Sequence, residues 1–296
     1  MLPSISSLHA LRQNAKASRA EKPVIGFGNP LLDGQQRHLV YGEYFKEQAK
    51  AARENQSCQT VARRNVANMD IRQPRGFESI FRGAHADIDE LREWDPLPET
   101  ADELCEVGAQ LGAAPEDIYL GARATEGRLK DLSEQGILKN YATVHFATHG
   151  ALSGQVKGSA EPGLIMTPPE TFTTDPEKLE RDDGYLTASE VATLKLDADL
   201  VIMAACNTAG SSGESAEALS GMARAFFYAG ARALLVSHWE VNSEATVALI
   251  TRMAKGKAVR AEALRQAMLA MIDQASPEDA HPAHWAPFVL VGEGSR

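Results

Sequence analysis

Cysteine is scarce in this chain. Of 296 residues only three are cysteine, Cys58, Cys105 and Cys206, and they are widely scattered. An odd, sparse count argues against a disulfide framework and for a reducing compartment. Long apolar runs are missing as well. No uninterrupted stretch approaches the ~20 residues that span a bilayer, and Met1 to Leu11 lacks the basic-then-apolar pattern of a secretory signal. The expected location is the cytoplasm, with no membrane partner. Positive charge is in deficit: 30 Lys and Arg against 40 Asp and Glu give a net charge of −10, which argues against direct binding of nucleic acid. One local exception, Lys46 to Arg82, holds Lys50, Arg53, Arg63, Arg64, Arg72 and Arg75, and reads first as a solvated, flexible insertion and second as a docking site for an acidic partner. Site signatures are absent too. No CxxC or HExxH spacing offers a metal set, no Gly-x-Ser-x-Gly elbow offers a serine nucleophile, and Gly26-Phe27-Gly28 lacks the third glycine of a dinucleotide loop. No metal and no cofactor are expected.

What is present is an ordinary globular balance, 44% apolar and 24% charged, in a length that fits one large or two small domains. Short apolar runs alternate with amphipathic stretches. Val24 to Phe27, Asp117 to Leu120, Val144 to Gly150, Leu200 to Asn207, Ala233 to Val236 and Phe288 to Val291 read as six strands. Between them lie helix patterns. Pro98-Glu99-Thr100 opens one that places Leu104, Val107 and Leu111 on one face and stops at Gly112; Thr125 is positioned to N-cap the next. Further helices are expected around Ala188 to Thr193, over Glu217 to Ala229, from Ser243, and over Ala261 to Ile272. Cys105 falls inside the first of these helices and is expected as a buried, inert thiol. Residues 33–95 are polar and weakly periodic, a partly flexible insertion with helical fragments at best. Residues 151–186 form a long loop on the active-site side, with at most a short hairpin around Gly163 to Met166. Strands alternating with helices imply one α/β domain over 1–296 with a mainly parallel sheet covered on both faces.

Two strand runs end at chemically reactive side chains. Val144-His145-Phe146-Ala147-Thr148-His149-Gly150 stops at a histidine, and Leu200 to Asn207 stops at Cys206. Parallel strands present their C-terminal ends to a shared crevice, so neighbouring strands would bring His149 and Cys206 together as base and nucleophile. A buried strand-end cysteine is the plain alternative. Small residues flank Cys206, and Gly210-Ser211-Ser212-Gly213 follows, which fills a core poorly and leaves room for a substrate backbone. Gly150 removes bulk beside His149 and lets its own N–H, with that of Cys206, approach an oxyanion. His145, two residues before Ala147, shares the face of His149 and is expected to be structural or to orient its neighbour, and not to be catalytic. Zinc on His145, His149 and Cys206 finds no supporting spacing. His281 to Pro287 reads as a packed turn.

Taken together, VHFATHG (144–150), DGYLTASEV (183–191), LVIMAACNTAG (200–210), AEALSGMARAFFYAGARALLVSHWEVNSEAT (216–246) and HWAPFVLVG (284–292) resemble the CHAT domain, as do GFGNPLLDG (26–34) and LPETADELCEVGAQLGA (97–113). This is a caspase-like domain of the clan holding caspases, metacaspases and separases. The resemblance implies a caspase–haemoglobinase-like three-layer sandwich, a mainly parallel six-stranded sheet with helices on both faces. It implies a catalytic dyad of His149 and Cys206, with Gly150 at the oxyanion position. It also implies that Ser237-His238-Trp239-Glu240 pairs with an extended substrate. Many relatives have Leu-Trp where this chain has His238-Trp239, and Asp-Asp where it has Asn242-Ser243, which bears on substrate preference and not on fold. Relatives usually carry helical repeats upstream, so the chain is expected to be either a short stand-alone version or a trimmed piece of a longer protein.

The resulting expectation is a cysteine endopeptidase acting on a protein or peptide in regulated signalling or defence. Asp183, Glu214, Trp239 and Glu240 are candidate walls of its specificity pocket, and an acidic wall would favour a basic residue before the scissile bond. A regulatory partner or an upstream helical-repeat region would complete it. Two alternatives remain: a non-catalytic caspase-like interaction module, and a thiol hydrolase or transferase acting on a small acyl group.

Overall fold

The computed structural model describes residues 18–61, 79–80, 86–151, 156–157, 161–170, 175–203, 214–238, 241, 243–255, 259–274 and 280–294. Six strands form one sheet: β1 (Lys22–Gly28), β2 (Ile118–Leu120), β3 (Tyr141–Ala147), β4 (Leu200–Met203), β5 (Ala233–Ser237) and β6 (Phe288–Gly292). Their order is β6-β5-β4-β3-β1-β2. Every pairing is parallel except β5 with β6, which is antiparallel. This is the mainly parallel six-stranded sheet that the sequence predicts.

The strands read as continuous apolar runs because both faces are buried. Alternate side chains serve opposite sides. Ile25, Phe27, Val144, Phe146, Val201, Met203, Leu234 and Val236 belong to one core. It is closed by α4 (Glu126–Glu134) through Leu129 and Leu132, by α5 (Ala188–Thr193) through Val191, and by α6 (Glu214–Ala229) through Met222 and Phe226. Ile202 and Leu235 point the other way, toward α7 (Ser243–Lys255) and α8 (Arg260–Gln274), where Leu249, Ile250, Met253, Leu264 and Met271 are buried. On that second side α3 (Glu99–Leu111) covers β1. It lies close because β1 offers glycine there: a Cβ on Gly28 would stand 2.6 Å from Leu104 Cδ1 and 2.5 Å from the carbonyl oxygen of Ala147.

Three regions differ from expectation. Residues 33–95 hold a 13-residue helix, α1 (Gly42–Glu54), which seats Phe45, Ala49 and Ala52 in the interior, and a short helix, α2 (Ile88–Arg92), N-capped by Asp87. Phe45 is the only large buried side chain on α1, and alanines give little periodic signal. Within 151–186 the hairpin allowed around Gly163 is part of a three-stranded antiparallel sheet, Gly150–Ala151 with Gly163–Ile165 and Tyr185–Thr187. Finally, Cys105 is not a buried thiol. It is half-exposed and disulfide-bonded to Cys58, with a Cα–Cα distance of 5.3 Å. The bridge ties the segment after α1 to α3 across 47 residues of sequence. It also removes the cysteine count as a ground for placing the chain in a reducing compartment. Among the described residues no helix is long and apolar enough to cross a membrane.

Candidate active site

In an open parallel sheet the ligand crevice opens where the strand order reverses, beyond the carboxyl ends of the strands. Here connections run outward to β2 on one side and to β4 on the other, so the reversal falls between β1 and β3. Those strands end level, Gly28 opposite Ala147, and the residues that follow are Asn29 and Thr148-His149-Gly150. The sheet topology thus carries the sequence-predicted histidine to this reversal point.

Its backbone is held firmly. The N–H of Ile165 donates to the carbonyl of His149 at 2.9 Å, and the hydroxyl of Thr148 donates to the carbonyl of Ile165. Antiparallel pairing alternates hydrogen-bonded and non-hydrogen-bonded residues. His149 uses its carbonyl toward Ile165, so Gly150, opposite Leu164, occupies the other kind of position. Its N–H turns away from that neighbour.

The imidazole is buried, 7% exposed, and Nε2 lies 2.7 Å from the carbonyl oxygen of Asp95. A carbonyl only accepts, so Nε2 carries the hydrogen and Nδ1 is the basic nitrogen of the neutral ring. The ring also meets Trp94, with centroids 5.3 Å apart and planes 59° apart. Burial lowers the His149 pKa from 6.5 to about 4, against the opposing effect of the Asp95 hydrogen bond. The ring is therefore neutral at physiological pH.

Trp94 and Asp95 form a strap that neither composition nor spacing identified. The loop after β1 fastens it: the N–H of Asp33 donates to the carbonyl of Arg92 at 2.7 Å, and the N–H of Gly34 donates to those of Arg92 and Trp94 at 3.2 and 3.1 Å. Gly34 has φ +66° and lies flat on Phe45 of α1, whose ring a Cβ would meet at 2.8 Å. Asn29 anchors the start of the loop. It is fully buried with φ +49°, an uncommon conformation for a non-glycine residue. It is held there because its amide donates to the carbonyls of Ala52 and Asn55, each at 2.9 Å, and its N–H donates to Thr100 Oγ1 at 2.9 Å. The legible signal was Pro96, which biases Asp95 toward extended backbone.

The CHAT domain family matches residues 1–293. The chain belongs to that family. Among curated proteins it is similar to tetratricopeptide repeat protein 28 of Homo sapiens, 30% identical over 224 residues, covering 67% of this chain and 8% of that protein. The Mus musculus protein of the same description is likewise 30% identical over 224 residues, covering 67% of this chain and 9% of its own. The chain therefore spans less than a tenth of the relatives it matches.

Other sequence-predicted residues of this CHAT domain divide clearly. Cys206, Trp239 and Glu240 lie outside the described residues, as does the side chain of Glu214. Ser237 is buried at the end of β5, opposite Phe288. His238 is half-exposed, and its N–H donates to the carbonyl of Pro287 at 3.0 Å. Asp183 is buried, and both its carboxylate oxygens accept backbone N–H groups, from Ala86 at 2.7 Å and Tyr185 at 2.9 Å. Its own N–H and that of Gly184 donate to Glu126 Oε2, at 2.9 and 3.1 Å. Glu126 is fully buried, and its other oxygen lies 2.5 Å from Lys130 Nζ. Burial, then the charges of Glu190 and Asp183, push the Glu126 pKa upward, and Lys130 opposes them. His145 lies apart from the crevice, fully buried, with Nε2 2.9 Å from Glu103 Oε1 on α3.

Proposed function

We propose that the chain is a caspase-like cysteine endopeptidase domain in which Cys206 is the nucleophile and His149 its base. One observation carries this reading: a neutral, buried imidazole, oriented through Nε2 by the Asp95 carbonyl, stands at the reversal point of the sheet. The register of the next strand supports the pairing. Phe146 on β3 is opposite Met203 on β4, and each reactive residue follows its strand partner by three positions, His149 after Phe146 and Cys206 after Met203.

In this reading Nδ1 of His149 takes the Cys206 thiol proton as sulfur attacks the scissile carbonyl. The oxyanion is held by the N–H groups of Gly150 and Cys206. The Nε2–H bond to Asp95 steadies the imidazolium, which then protonates the leaving amine. Water, activated by the same ring, hydrolyses the thioester. An extended substrate runs past Ser237, His238, Trp239 and Glu240 at the end of β5. Asp183 acts on that groove through the backbone it holds, which leaves Glu214 and Glu240 to favour a basic residue before the scissile bond. A helical-repeat region, as in the tetratricopeptide repeat relatives, is the proposed regulatory partner.

A second reading, a non-catalytic interaction module, is favoured by those same relatives, which are named for their tetratricopeptide repeats. Incubation with a randomised peptide library and mass-spectrometric mapping of cut sites separates the two. The peptidase cuts, Cys206→Ala and His149→Ala do not, and an electrophilic peptide labels Cys206 only when His149 is intact. Absence of cleavage together with labelling indifferent to His149 favours the module.

A further inference from the structure

We propose that Trp94 is a positioning residue: its indole seats the His149 ring against the Asp95 carbonyl and keeps water from the imidazole, so that it sets the basicity of that histidine. The geometry is specific. The two rings meet at 5.3 Å with a 59° tilt, and the very next residue supplies the carbonyl that Nε2 contacts at 2.7 Å. Trp94 is therefore adjacent in sequence to the hydrogen-bond acceptor and adjacent in space to the ring it orients. It also packs on a small core of its own, made by Leu32, Ala86, Leu91, Ala151, Ile165 and Tyr185. Three of those residues, Ala151, Ile165 and Tyr185, belong to the small antiparallel sheet that fixes the His149 backbone. The indole thus bridges the strap and the strand exit.

Among the described residues, charge does not provide an alternative account. On the strap, the Arg92 guanidinium donates to the carbonyl of Pro169, and Glu93 is exposed. Asp95 presents its backbone carbonyl to the ring. On the loop after β1, Asp33 is paired with Arg53. The Gly163–Ile165 strand carries no ionisable side chain. His145 is engaged with Glu103 on the α3 side. What acts on His149 is burial, opposed by the Asp95 hydrogen bond. The indole is the large side chain seen in contact with the imidazole, and removing it opens the ring to solvent.

The catalytic consequence rests on the peptidase reading; the titration does not. The test is the nuclear magnetic resonance titration of the His149 ring in the whole chain, for the unsubstituted protein, Trp94→Ala and Trp94→Phe. The expected result is a midpoint near 4 in the unsubstituted chain, a rise of at least one unit toward 6.5 in Trp94→Ala, and rescue in Trp94→Phe. A folded Trp94→Ala protein with an unchanged midpoint overturns the proposal, even if its thermal stability falls. Should Trp94→Ala not fold, Trp94→Leu decides in its place, because it keeps bulk but not the flat ring: an unmoved midpoint overturns, a raised one supports. The pH profile of Cys206 alkylation is recorded alongside. A moved His149 midpoint with alkylation indifferent to His149 upholds Trp94 and sinks the peptidase reading. A fixed midpoint with cleavage intact does the reverse.

Discussion

His145 and His149 stand four residues apart in sequence, and their surroundings give them separate tasks. His149 lies beyond the strand, where the backbone is gripped by Ile165 and the ring is met by Asp95 and Trp94. His145 lies inside the strand, under α3, with Glu103 Oε1 2.9 Å from its Nε2 and both residues no more than 3% exposed. A polar group closed off from water needs its partner. Glu103→Ala is therefore expected to lower stability by about 3 kcal/mol, read from urea unfolding, while leaving the His149 titration in place. Glu103→Gln, of the same shape and still presenting a polar oxygen to the ring, should lose clearly less. The strand-end position of His149 was legible because an apolar run followed by a small residue marks where a buried strand meets a crevice. The carbonyl that orients His149 was not, since Asp95 lies 54 residues earlier and a backbone oxygen has no sequence signature.

At the scale of elements, strands and amphipathic helices were readable wherever large apolar side chains recur with a fixed period. α3, α4, α5 and α7 begin within a residue or so of where caps and periodicity place them, and Thr125 accepts the N–H of Arg128 as an N-cap should. α1 escaped because its buried face is mostly alanine. The Cys58–Cys105 bridge escaped for a different reason: two cysteines 47 residues apart gain meaning only when α3 and the segment after α1 are already known to touch. Because the bridge closes a long loop, its removal releases chain entropy in the unfolded state. Cys58→Ser is expected to lower stability by about 2–4 kcal/mol. Unfolding in urea without reductant measures it, and the same loss should appear in the unsubstituted protein once reductant is added and vanish between the two under reducing conditions. Equal stability of the two proteins without reductant would show the bridge contributes nothing.

For the molecule as a whole, strand order decides where chemistry gathers, and that order is the least local property of the fold. Six apolar runs announce a sheet, but only the pairing of β1 with both β2 and β3 puts the reversal beside His149. Placing an imidazole there has a cost that reports on the entire folded state. Burial holds its folded pKa near 4 against 6.5 when it is free. Above pH 6.5 both states are neutral and the ring leaves stability independent of pH. Between 6.5 and 4 the unfolded chain binds a proton that the folded chain refuses, so stability is lost as pH falls, by about 1.4 kcal/mol per unit from this one group. Below 4 the loss is complete and the slope disappears. Urea unfolding at pH 7, 6 and 5 should therefore show the protein losing about 2 kcal/mol more between pH 7 and 5 than His149→Gln does, since every other titrating group is common to both. Parallel curves for the two proteins would mean that His149 is open to solvent and free to ionise in the folded state.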